Sequence, residues 1–405
     1  MTTVDLMPVG LPPGVMRRLT PGLIGTLVGL RRDIHQHPEL AFKEIGTAQR
    51  LIDALHSLGL DDVTRIGATG LVVRVPGRDR SAPVVALRGD IDALPIQEAT
   101  GLPFASAVPG AMHACGHDVH ATWAVGAAAL LVSEPADGDV LVILQPAEEI
   151  GEGARAILDS GALDDVVAIF GAHVDRRFEV GQAVTDEGPL AASADTFEID
   201  ITGTGAHAAR PHESRDPIVA GAAIVTALQS IVARRLNPAM PGVVTIGSFH
   251  AGSASNIIPD HAHLSGTVRA VDPASRDLMT TEVARIAETV AAAYGTTAHI
   301  KLDRGTPPIV NPPEATRWAR EAAVRVLGES AVVPLGFLNL AGEDFAHYME
   351  RIPGCFIRVG ARERGGAVIP AHAPTFYPAE ESIFVGAAIL AECARVASRA
   401  NAASR

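Results

Sequence analysis

A thiol, two imidazoles and a carboxylate lie close together in the segment Met112-His-Ala-Cys-Gly-His-Asp118. Within it, Cys115 and His117 offer the sulfur and nitrogen ligands that transition metals prefer. A zinc finger would need paired cysteines and histidines within one short module. The other candidate ligands lie far along this chain, so the pattern favours a catalytic centre whose ligands come from separate strands and loops.

These other candidates share a position in polar loops beside glycine or proline, which sets them apart from the rest of the 15 histidines. Two adjacent carboxylates cannot easily both bind one metal ion and also leave a base free to activate water. We therefore expect one carboxylate of the pair to bind metal and the other to take a proton. The candidates are Glu148, Glu149, His173 and His372.

Buried strands are expected to position these side chains, because short apolar runs precede several of them. Runs of this kind are typical of strands buried on both faces, as in a mostly parallel sheet flanked by helices. We therefore predict an α/β fold. The runs are residues 70–75, 83–88, 141–144 and 166–170.

Acidic residues and one histidine follow directly after these predicted strands. In open α/β sheets, sites form beyond the carboxyl ends of the strands. The sequence therefore predicts that these side chains meet at one edge of the sheet. They are Asp90, Asp92, Glu148, Glu149 and His173.

The pattern changes after residue 187. Residues 188–303 contain strand and helix patterns in the order β-α-β-β-α-β, which is typical of an α+β ferredoxin-like unit. The α/β pattern then resumes, so this unit is predicted to be an insertion. We predict a metal-binding catalytic domain formed by residues 1–187 and 304–405, and an inserted α+β domain of residues 188–303.

The composition restricts the compartment and the partners. The formal net charge of −13 argues against nucleic acid or an anionic membrane as the main partner, because both are also negatively charged. The three cysteines are widely spaced, the first 13 residues lack a signal-peptide pattern, and the longest apolar run, residues 124–132, is too short to span a bilayer. We expect a cytoplasmic protein that binds neither nucleic acid nor membrane.

Two further histidines, His35 and His37, lie at the end of a predicted helix before Pro38. They are either metal ligands or surface and capping residues. The position at a helix end favours the second interpretation.

Taken together, these motifs resemble the dinuclear metallo-amidohydrolases, the family of hippurate hydrolase, N-acyl-amino-acid amidohydrolases and auxin-conjugate hydrolases. The resemblance covers nearly the whole chain in order. The motifs are His35-Gln-His-Pro-Glu39, Gly89-Asp-Ile-Asp-Ala-Leu-Pro95, Met112-His-Ala-Cys-Gly-His-Asp118, Gln145-Pro-Ala-Glu-Glu149, Gly205-Ala-His-Ala-Ala-Arg-Pro-His212, Asn256-Ile-Ile-Pro259, Gly342-Glu-Asp-Phe345 and His372-Ala-Pro374.

The resemblance implies a role for each matching residue. Cys115 is expected to bridge two divalent ions (zinc, manganese, cobalt or nickel), which His117, Glu149, His173 and His372 also bind. Glu148 is implied as the general base, and Asp92 as a residue that orients a ligand.

The resemblance also implies that the inserted domain is a lid or dimerisation domain, which contributes to the substrate site and to a homodimer or higher homo-oligomer. His207 is expected to polarise the substrate carbonyl, within its own subunit or across the dimer. Asn256 and Arg269 are expected to bind the substrate carboxylate. The alternatives are a structural role for His207 and a surface ion pair for Arg269.

Two segments depart from the family's usual pattern. Asp175-Arg176-Arg177 follows His173-Val174, where relatives often have Asp-Pro, and it adds positive charge near the predicted site. Thr375-Phe-Tyr-Pro378 follows the His372 motif, where relatives usually have Phe and acidic residues. Both segments bear on substrate choice.

The predicted function is metal-dependent hydrolysis of the amide bond of N-acyl or N-aroyl amino acids, giving a carboxylic acid and a free amino acid. The first alternative is a carboxypeptidase or dipeptidase that acts on short peptides with the same mechanism. The second is a metal-binding protein without activity, which the presence of Glu148, His207 and the full ligand set opposes.

Overall fold

The structure of the protein is a computed structural model that describes residues 10–402. Its strands are β1 (Val63–Ile66), β2 (Gly70–Val75), β3 (Val84–Asp90), β4 (Val140–Gln145), β5 (Val166–Glu179), β6 (Ala183–Val184), β7 (Gly188–Ala191), β8 (Ala194–Thr202), β9 (Ala206–His207), β10 (Gly242–Ala251), β11 (Ile257–Ile258), β12 (His261–Ala270), β13 (Thr297–Thr306), β14 (Ile309–Asn311) and β15 (Gly354–Arg362).

Helices connect most of these strands. They are α1 (Pro13–Met16), α2 (Pro21–Gln36), α3 (Ile45–Ser57), α4 (His117–Ser133), α5 (Gly153–Asp159), α6 (Pro217–Leu228), α7 (Pro273–Ala293), α8 (Pro313–Leu327), α9 (Ala346–Met349) and α10 (Glu381–Ala402), with short 3-10 turns at Pro211–Glu213 and Glu329–Ala331 and a π-helical turn at Ile231–Arg235.

A seven-stranded sheet with the order β1-β2-β4-β3-β5-β15-β6 forms the centre of the larger part of the chain. Strand β3 pairs in parallel with β4 and β5, and β15 pairs in parallel with β5. Strands β1, β2 and β6 join this parallel core in antiparallel orientation. The apolar runs in the sequence correspond to β2, β3, β4 and the first part of β5, so the predicted mostly parallel sheet is confirmed.

Helix α4 begins at His117, one of the predicted ligands, and it is buried along almost its whole length. A helix that is apolar all round is buried on all sides, and α4 packs against β3 and α10. The approach to α10 is close, because a Cβ at Gly386 would lie 2.2 Å from the ring of Trp123. This packing fixes the first residue of the helix, His117.

A four-stranded antiparallel sheet with the order β10-β12-β8-β13 forms the second part of the structure. Helices α6 and α7 contribute Ile224, Leu228, Met279 and Val283 to a core shared with the sheet. The chain order β8-α6-β10-β12-α7-β13 matches the predicted ferredoxin-like unit, and strand alternation buries Phe197, whereas its neighbours Thr196 and Glu198 are exposed.

The chain folds as two compact units. Unit 1 comprises the chain up to Gly188, Asn311–Phe337 and the chain from His347 onward, and unit 2 comprises Pro189–Val310 and Leu338–Ala346. Unit 2 therefore includes residues 338–346, which the sequence analysis placed in the catalytic domain. That unit 2 acts as a lid or a dimerisation domain stays a prediction.

One segment, Pro217–Arg235, is long and apolar enough to cross a membrane by length and composition, which the sequence analysis did not recognise. In the structure it forms α6 and the π-helical turn that follows it. Its residues Ile224, Leu228 and Ile231 lie in the core of unit 2. A core helix satisfies the same criterion, so this finding is weak support for a membrane span.

One prediction about an element is wrong. His173 does not follow the end of a strand but lies inside β5, because pairing with β15 continues through Val174 and Asp175.

Candidate metal centre

Cys115 and His117 are brought to one face of the site by a glycine between them. Gly116 has a φ of +90°, in the left-handed region that favours glycine, and a Cβ there would lie 2.6 Å from a methyl group of Val174. The turn begins α4 at His117. It also places Cys115 Sγ 3.2 Å from His173 Nε2.

The orientation of His117 is fixed by Asp92. Nδ1 of His117 lies 2.9 Å from the carbonyl oxygen of Asp92 and 3.2 Å from its Oδ1. A carbonyl oxygen can only accept, so Nδ1 carries a proton, and Nε2 is the nitrogen left for a metal ion. Among the described residues, Nε2 of this buried imidazole has no hydrogen-bond partner.

Asp92 also shapes the turn that carries the two carboxylates. Its two carboxylate oxygens accept hydrogen bonds from the backbone N–H groups of Glu148 and Glu149, each at 3.1 Å. Ala147, just before them, has a φ of +54°, and its N–H donates to the Glu44 carboxylate at 3.0 Å. A left-handed residue with a side chain is strained, and its surroundings must stabilise it.

Glu149 lies between His117 and His372. Its Oε2 lies 3.5 Å from His372 Nε2, and its Oε1 lies 3.7 Å from His117 Nε2. Oε1 is buried and has no hydrogen-bond partner in the part of the chain that the structure describes. Buried polar atoms are almost always paired, so the buried Nε2 of His117 and Oε1 of Glu149 fit the binding of a cation between them.

His372 comes from the loop between β15 and α10. Its backbone is left-handed, with a φ of +67°, and its N–H donates to the carbonyl oxygen of Ala114 at 2.8 Å. The side chain is 53% exposed, whereas the other predicted ligands are largely buried. His372 is therefore the most exposed of the predicted ligands.

Two ligand groups share the thiol of Cys115. One is Cys115, His117 and His173, and the other is Cys115, Glu149 and His372, with the ligand atoms of each group within 4.8 Å of one another. The donor set of sulfur, imidazole and carboxylate suits zinc and similar transition ions. The arrangement fits two neighbouring ions with Cys115 between them.

The surroundings of three predicted ligands shift their pKa values. Burial, together with the charge of Glu149, raises the pKa of Cys115 to about 12. Burial and neighbouring positive groups lower the pKa of His173. The hydrogen bond with Glu149 raises the pKa of His372. The thiol therefore keeps its proton at neutral pH, and a bound cation would have to displace it.

A buried polar network behind the ligands was not found from the sequence. Asp90 Oδ1 accepts from His120 Nδ1 at 2.6 Å, and His120 Nε2 accepts from the N–H of Val174 at 2.9 Å. Asp90 also pairs with Arg88, which donates to Gln145 at 2.8 Å. His117 and His120 are three residues apart, so they lie on one face of a helix. This spacing could have indicated the network from the sequence.

His35 is not a surface residue, contrary to the interpretation favoured by the sequence. It is buried, with Nδ1 2.8 Å from Asp118 and Nε2 3.2 Å from Glu98. Arg31 donates to the same Asp118 carboxylate at 2.7 Å. His37 is exposed and bonds the Asp33 carbonyl oxygen, as expected for a residue at a helix end.

His207 and Asn256 lie together in unit 2. Strands β9 and β11 pair His207 with Ile257, and Nδ1 of His207 accepts from the N–H of Ala209 at 3.1 Å. The carbonyl oxygen of Asn256 accepts from the N–H of Ala208 at 3.1 Å. A cleft of about 610 Å³ is lined by Gly205, Ala206, His207, Asn256, Ile258 and Asp260, among others.

Arg269 lies at the other end of unit 2. The cleft ends at Asp260, just before β12 begins, and Arg269 is near the end of that strand. Eight residues at about 3.3 Å each separate His261 from Arg269 by roughly 26 Å. Nη1 of Arg269 is buried and unpartnered within residues 10–402. The structure therefore does not bring Arg269 together with His207 and Asn256 within one chain.

A model of the Peptidase family M20/M25/M40 matches residues 86–396. The chain belongs to this family. Three relatives are N-acetylcysteine deacetylase from Bacillus subtilis (42% identical over 91% of this chain and 96% of the relative), IAA-amino acid hydrolase ILR1-like 5 from Arabidopsis thaliana (38%, 91% and 86%) and thermostable carboxypeptidase 1 from Saccharolobus solfataricus (35%, 89% and 92%).

The fold of this M20 chain is also that of a solved structure. The Bacillus subtilis YXEP protein, described as a dinuclear metal binding peptidase from the M20 family, superposes with a TM-score of 0.80 at 37% identity, over 94% of this chain and 99% of that one. These similarities confirm the predicted family, the fold class and the prediction that the chain is a hydrolase.

Proposed function

We propose that this hydrolase cleaves the amide bond of N-acyl or N-aroyl amino acids, with two divalent ions held by Cys115, His117, Glu149, His173 and His372. The observation that carries the proposal is the sharing of Cys115 Sγ by two ligand groups in unit 1. The description of the YXEP protein as dinuclear supports it. The ions, zinc, manganese, cobalt or nickel, would lower the pKa of water and polarise the scissile carbonyl.

Glu148 is the general base of the proposed reaction. Asp92 fixes its backbone beside the ligands, and its Oε2 lies 3.9 Å from Nε2 of His117. Glu148 would take a proton from the attacking water and pass it to the leaving amine. Glu149 would remain a ligand, because its buried Oε1 has no hydrogen-bond partner among the described residues.

His207, Asn256 and Arg269 would serve the substrate from two copies of the chain. An N-acyl amino acid is about as long as two or three residues, roughly 10 Å. The separation of about 26 Å along β12 exceeds that length. One substrate can therefore meet both ends of unit 2 only if a second copy supplies one of them, which supports a homodimer or larger homo-oligomer.

The relatives support two substrate classes. The names of the N-acetylcysteine deacetylase and the IAA-amino acid hydrolase favour small N-acyl amino acids. The thermostable carboxypeptidase favours the alternative, a carboxypeptidase or dipeptidase acting on short peptides. A cytoplasmic location stays a prediction.

A substrate panel tests the proposal. N-acetyl, N-benzoyl and longer N-acyl amino acids would be compared with dipeptides and carboxamide analogues, on protein reconstituted separately with zinc, manganese, cobalt and nickel. We expect release of free amino acid from the acyl amino acids. Faster turnover of dipeptides would favour the alternative, and no hydrolysis with any metal would reject both.

A further inference from the structure

The departure from the family pattern at Arg176 has a structural consequence. Arg176 is only 3% exposed, so it does not add positive charge to an open substrate site as the sequence suggested. Its guanidinium forms an ion pair with Glu363 at 2.9 Å and lies over the ring of Tyr377 at 4.4 Å. The charge is neutralised inside unit 1.

The hydrogen bonds of Arg176 reach both ends of one loop. Nη2 donates to the carbonyl oxygen of Ala367 at 2.9 Å, and Nη1 donates to that of Tyr377 at 2.6 Å. Nη1 also lies 3.4 Å from the carbonyl oxygen of Ala361, the last residue but one of β15. One side chain therefore ties the end of β15, the start of the loop and its end together.

This loop, residues 363–380, carries His372. All of its residues are described by the structure, and they form neither helix nor strand. Its conformation must therefore be set by side chains and by single backbone contacts, such as the bond from His372 N–H to Ala114. We call residues 363–380 the His372 loop.

We propose that Arg176 is a positioning residue that holds the His372 loop in the conformation that presents the His372 imidazole to Glu149 and Cys115. The inference rests on the proposed function, because it takes His372 as a ligand. It assigns Arg176 to the geometry of the ligand group of Cys115, Glu149 and His372, and not to recognition of a substrate anion.

A lysine would not replace this arginine. The planar guanidinium donates in several fixed directions at once and stacks on an aromatic ring. Lysine has a single charged nitrogen on a flexible stem, so it could keep the pairing with Glu363 but could not also join Ala367, Tyr377 and the ring. The exposed Arg364, in the same loop, offers a matched control.

The test measures metal affinity. Arg176→Lys, Arg176→Gln, Glu363→Gln and the control Arg364→Gln would be titrated with Co²⁺ against a chelator, with visible absorption used to follow each ion. Loss of contacts that orient a ligand typically weakens metal binding by about 10–100-fold. We expect that loss at one of the two ions in both Arg176 variants, a smaller loss in Glu363→Gln, and none in Arg364→Gln.

A double-mutant cycle separates positioning from general stability. If Arg176 acts through His372, then Arg176→Gln should cause little further loss of Co²⁺ affinity in a His372→Ala background. Equal losses in both backgrounds, or none in either Arg176 variant, would overturn the inference. If Arg176→Gln does not fold, Arg176→Lys and Glu363→Gln carry the same comparison.

The two proposals fail differently. If His372→Ala alone binds both ions like wild type, the ligand set of the proposed function is wrong. If His372→Ala loses an ion but the Arg176 and Glu363 variants do not, only the positioning role of Arg176 is wrong.

Discussion

Cys115 Sγ and His173 Nε2 lie 3.2 Å apart, although 58 residues separate them in the chain. Nδ1 of His173 lies 2.7 Å from the carbonyl oxygen of Val174 and must donate to it, so Nε2 is free to accept the thiol proton. Because burial raises the pKa of that thiol and keeps it protonated, the thiol donates to Nε2 of His173. A cation would replace the shared proton and join the same two atoms.

Removal of metal should abolish activity and lower stability without unfolding the protein. The core of unit 1 is extensive and apolar, so the fold does not depend on the ions. Ligands bound at about 1,000 times their dissociation constant stabilise a protein by about 4 kcal/mol. Elemental analysis and calorimetry before and after chelation would test this. A fully active protein without bound metal would reject the proposed mechanism.

Glu148 and Glu149 should respond differently to the same substitution. Glu148→Gln is expected to keep both ions and the melting temperature, and to lose about 10²–10⁴ in kcat, because the base is removed. Glu149→Gln is expected to weaken metal binding, because Oε1 of Glu149 faces His117 and its Oε2 faces His372. Metal content and kcat measured on both variants decide between them, and the reverse pattern would exchange their roles.

The sequence indicates the candidate ligand residues because each lies beside a recognisable strand or turn. It places His173 wrongly, since the apolar run ends at Phe170 while pairing with β15 continues to Glu179. It also wrongly predicts that Arg176 adds positive charge near the site. This arginine is buried and paired with Glu363, which follows 187 residues later in the chain. Contacts between such distant parts of the chain leave no local pattern.

The separation of Arg269 from His207 could have been predicted. His207 follows the strand that ends at Thr202, and in the structure Thr202 pairs with His261 at the start of β12. Arg269 lies near the other end of the same predicted strand. The length of β12 and its antiparallel pairing with β8 together place the two residues far apart.

The buried pair of His35 and Glu98 should make stability depend on pH. Burial alone would lower the pKa of His35, but Asp118 and Glu98 outweigh it and raise the pKa. Burial would likewise raise the pKa of Glu98, but its hydrogen bonds, that from His35 first, lower it. The histidine contribution is complete below its unfolded pKa of about 6.5 and is lost as pH rises through the higher folded value.

His35→Gln tests this dependence. Glutamine keeps a donor but cannot become charged, so the variant should be less stable than wild type by about 1–3 kcal/mol at pH 5–6. The difference should shrink as pH rises above the folded pKa of His35. The contribution of Glu98 is complete above the ordinary glutamate pKa of about 4.3 and should be lost as pH falls through the lower folded value. Urea denaturation from about pH 3 to pH 9 measures both effects, with His37→Gln as an exposed control; a difference that stays constant with pH would contradict them.

Arg269→Ala should discriminate between substrates that differ only at the carboxylate. Burial lowers the pKa of this arginine, and its buried Nη1 has no hydrogen-bond partner among the described residues, so a bound carboxylate would supply one. Hydrogen bonds to a charged group contribute about 1.5–3 kcal/mol, or roughly 10–100-fold in kcat/KM. We expect that loss for N-acyl amino acids and a much smaller one for their carboxamides. Equal losses for both would favour the alternative of a structural ion-pair residue.

His207→Ala should keep the metals and the melting temperature, and should lose about 10²–10³ in kcat, because one donor to the developing oxyanion is removed. The imidazole is exposed in the cleft of unit 2, and its Nδ1 accepts from the N–H of Ala209, so Nε2 carries the proton that it can donate. Metal content, thermal unfolding and steady-state kinetics measure these effects. A rate close to wild type would remove His207 from the mechanism.

Subunit mixing tests whether this donor comes from a second copy. In a hybrid of His207→Ala with Glu148→Gln, one of the two sites has both residues intact if His207 acts across the dimer. Random exchange between the two inactive proteins should then restore roughly a quarter of the sites. A second mixture, of His207→Ala with Arg269→Ala, should show the same recovery, because about 26 Å of β12 separates the two residues within one chain. In the first mixture, hybrids that form, as shown by mass spectrometry, but stay inactive would place His207 over the metals of its own chain. Arg269 could then still reach the same substrate from the second copy, and the second mixture should recover activity. Inactive hybrids in both mixtures would remove Arg269 from the substrate site.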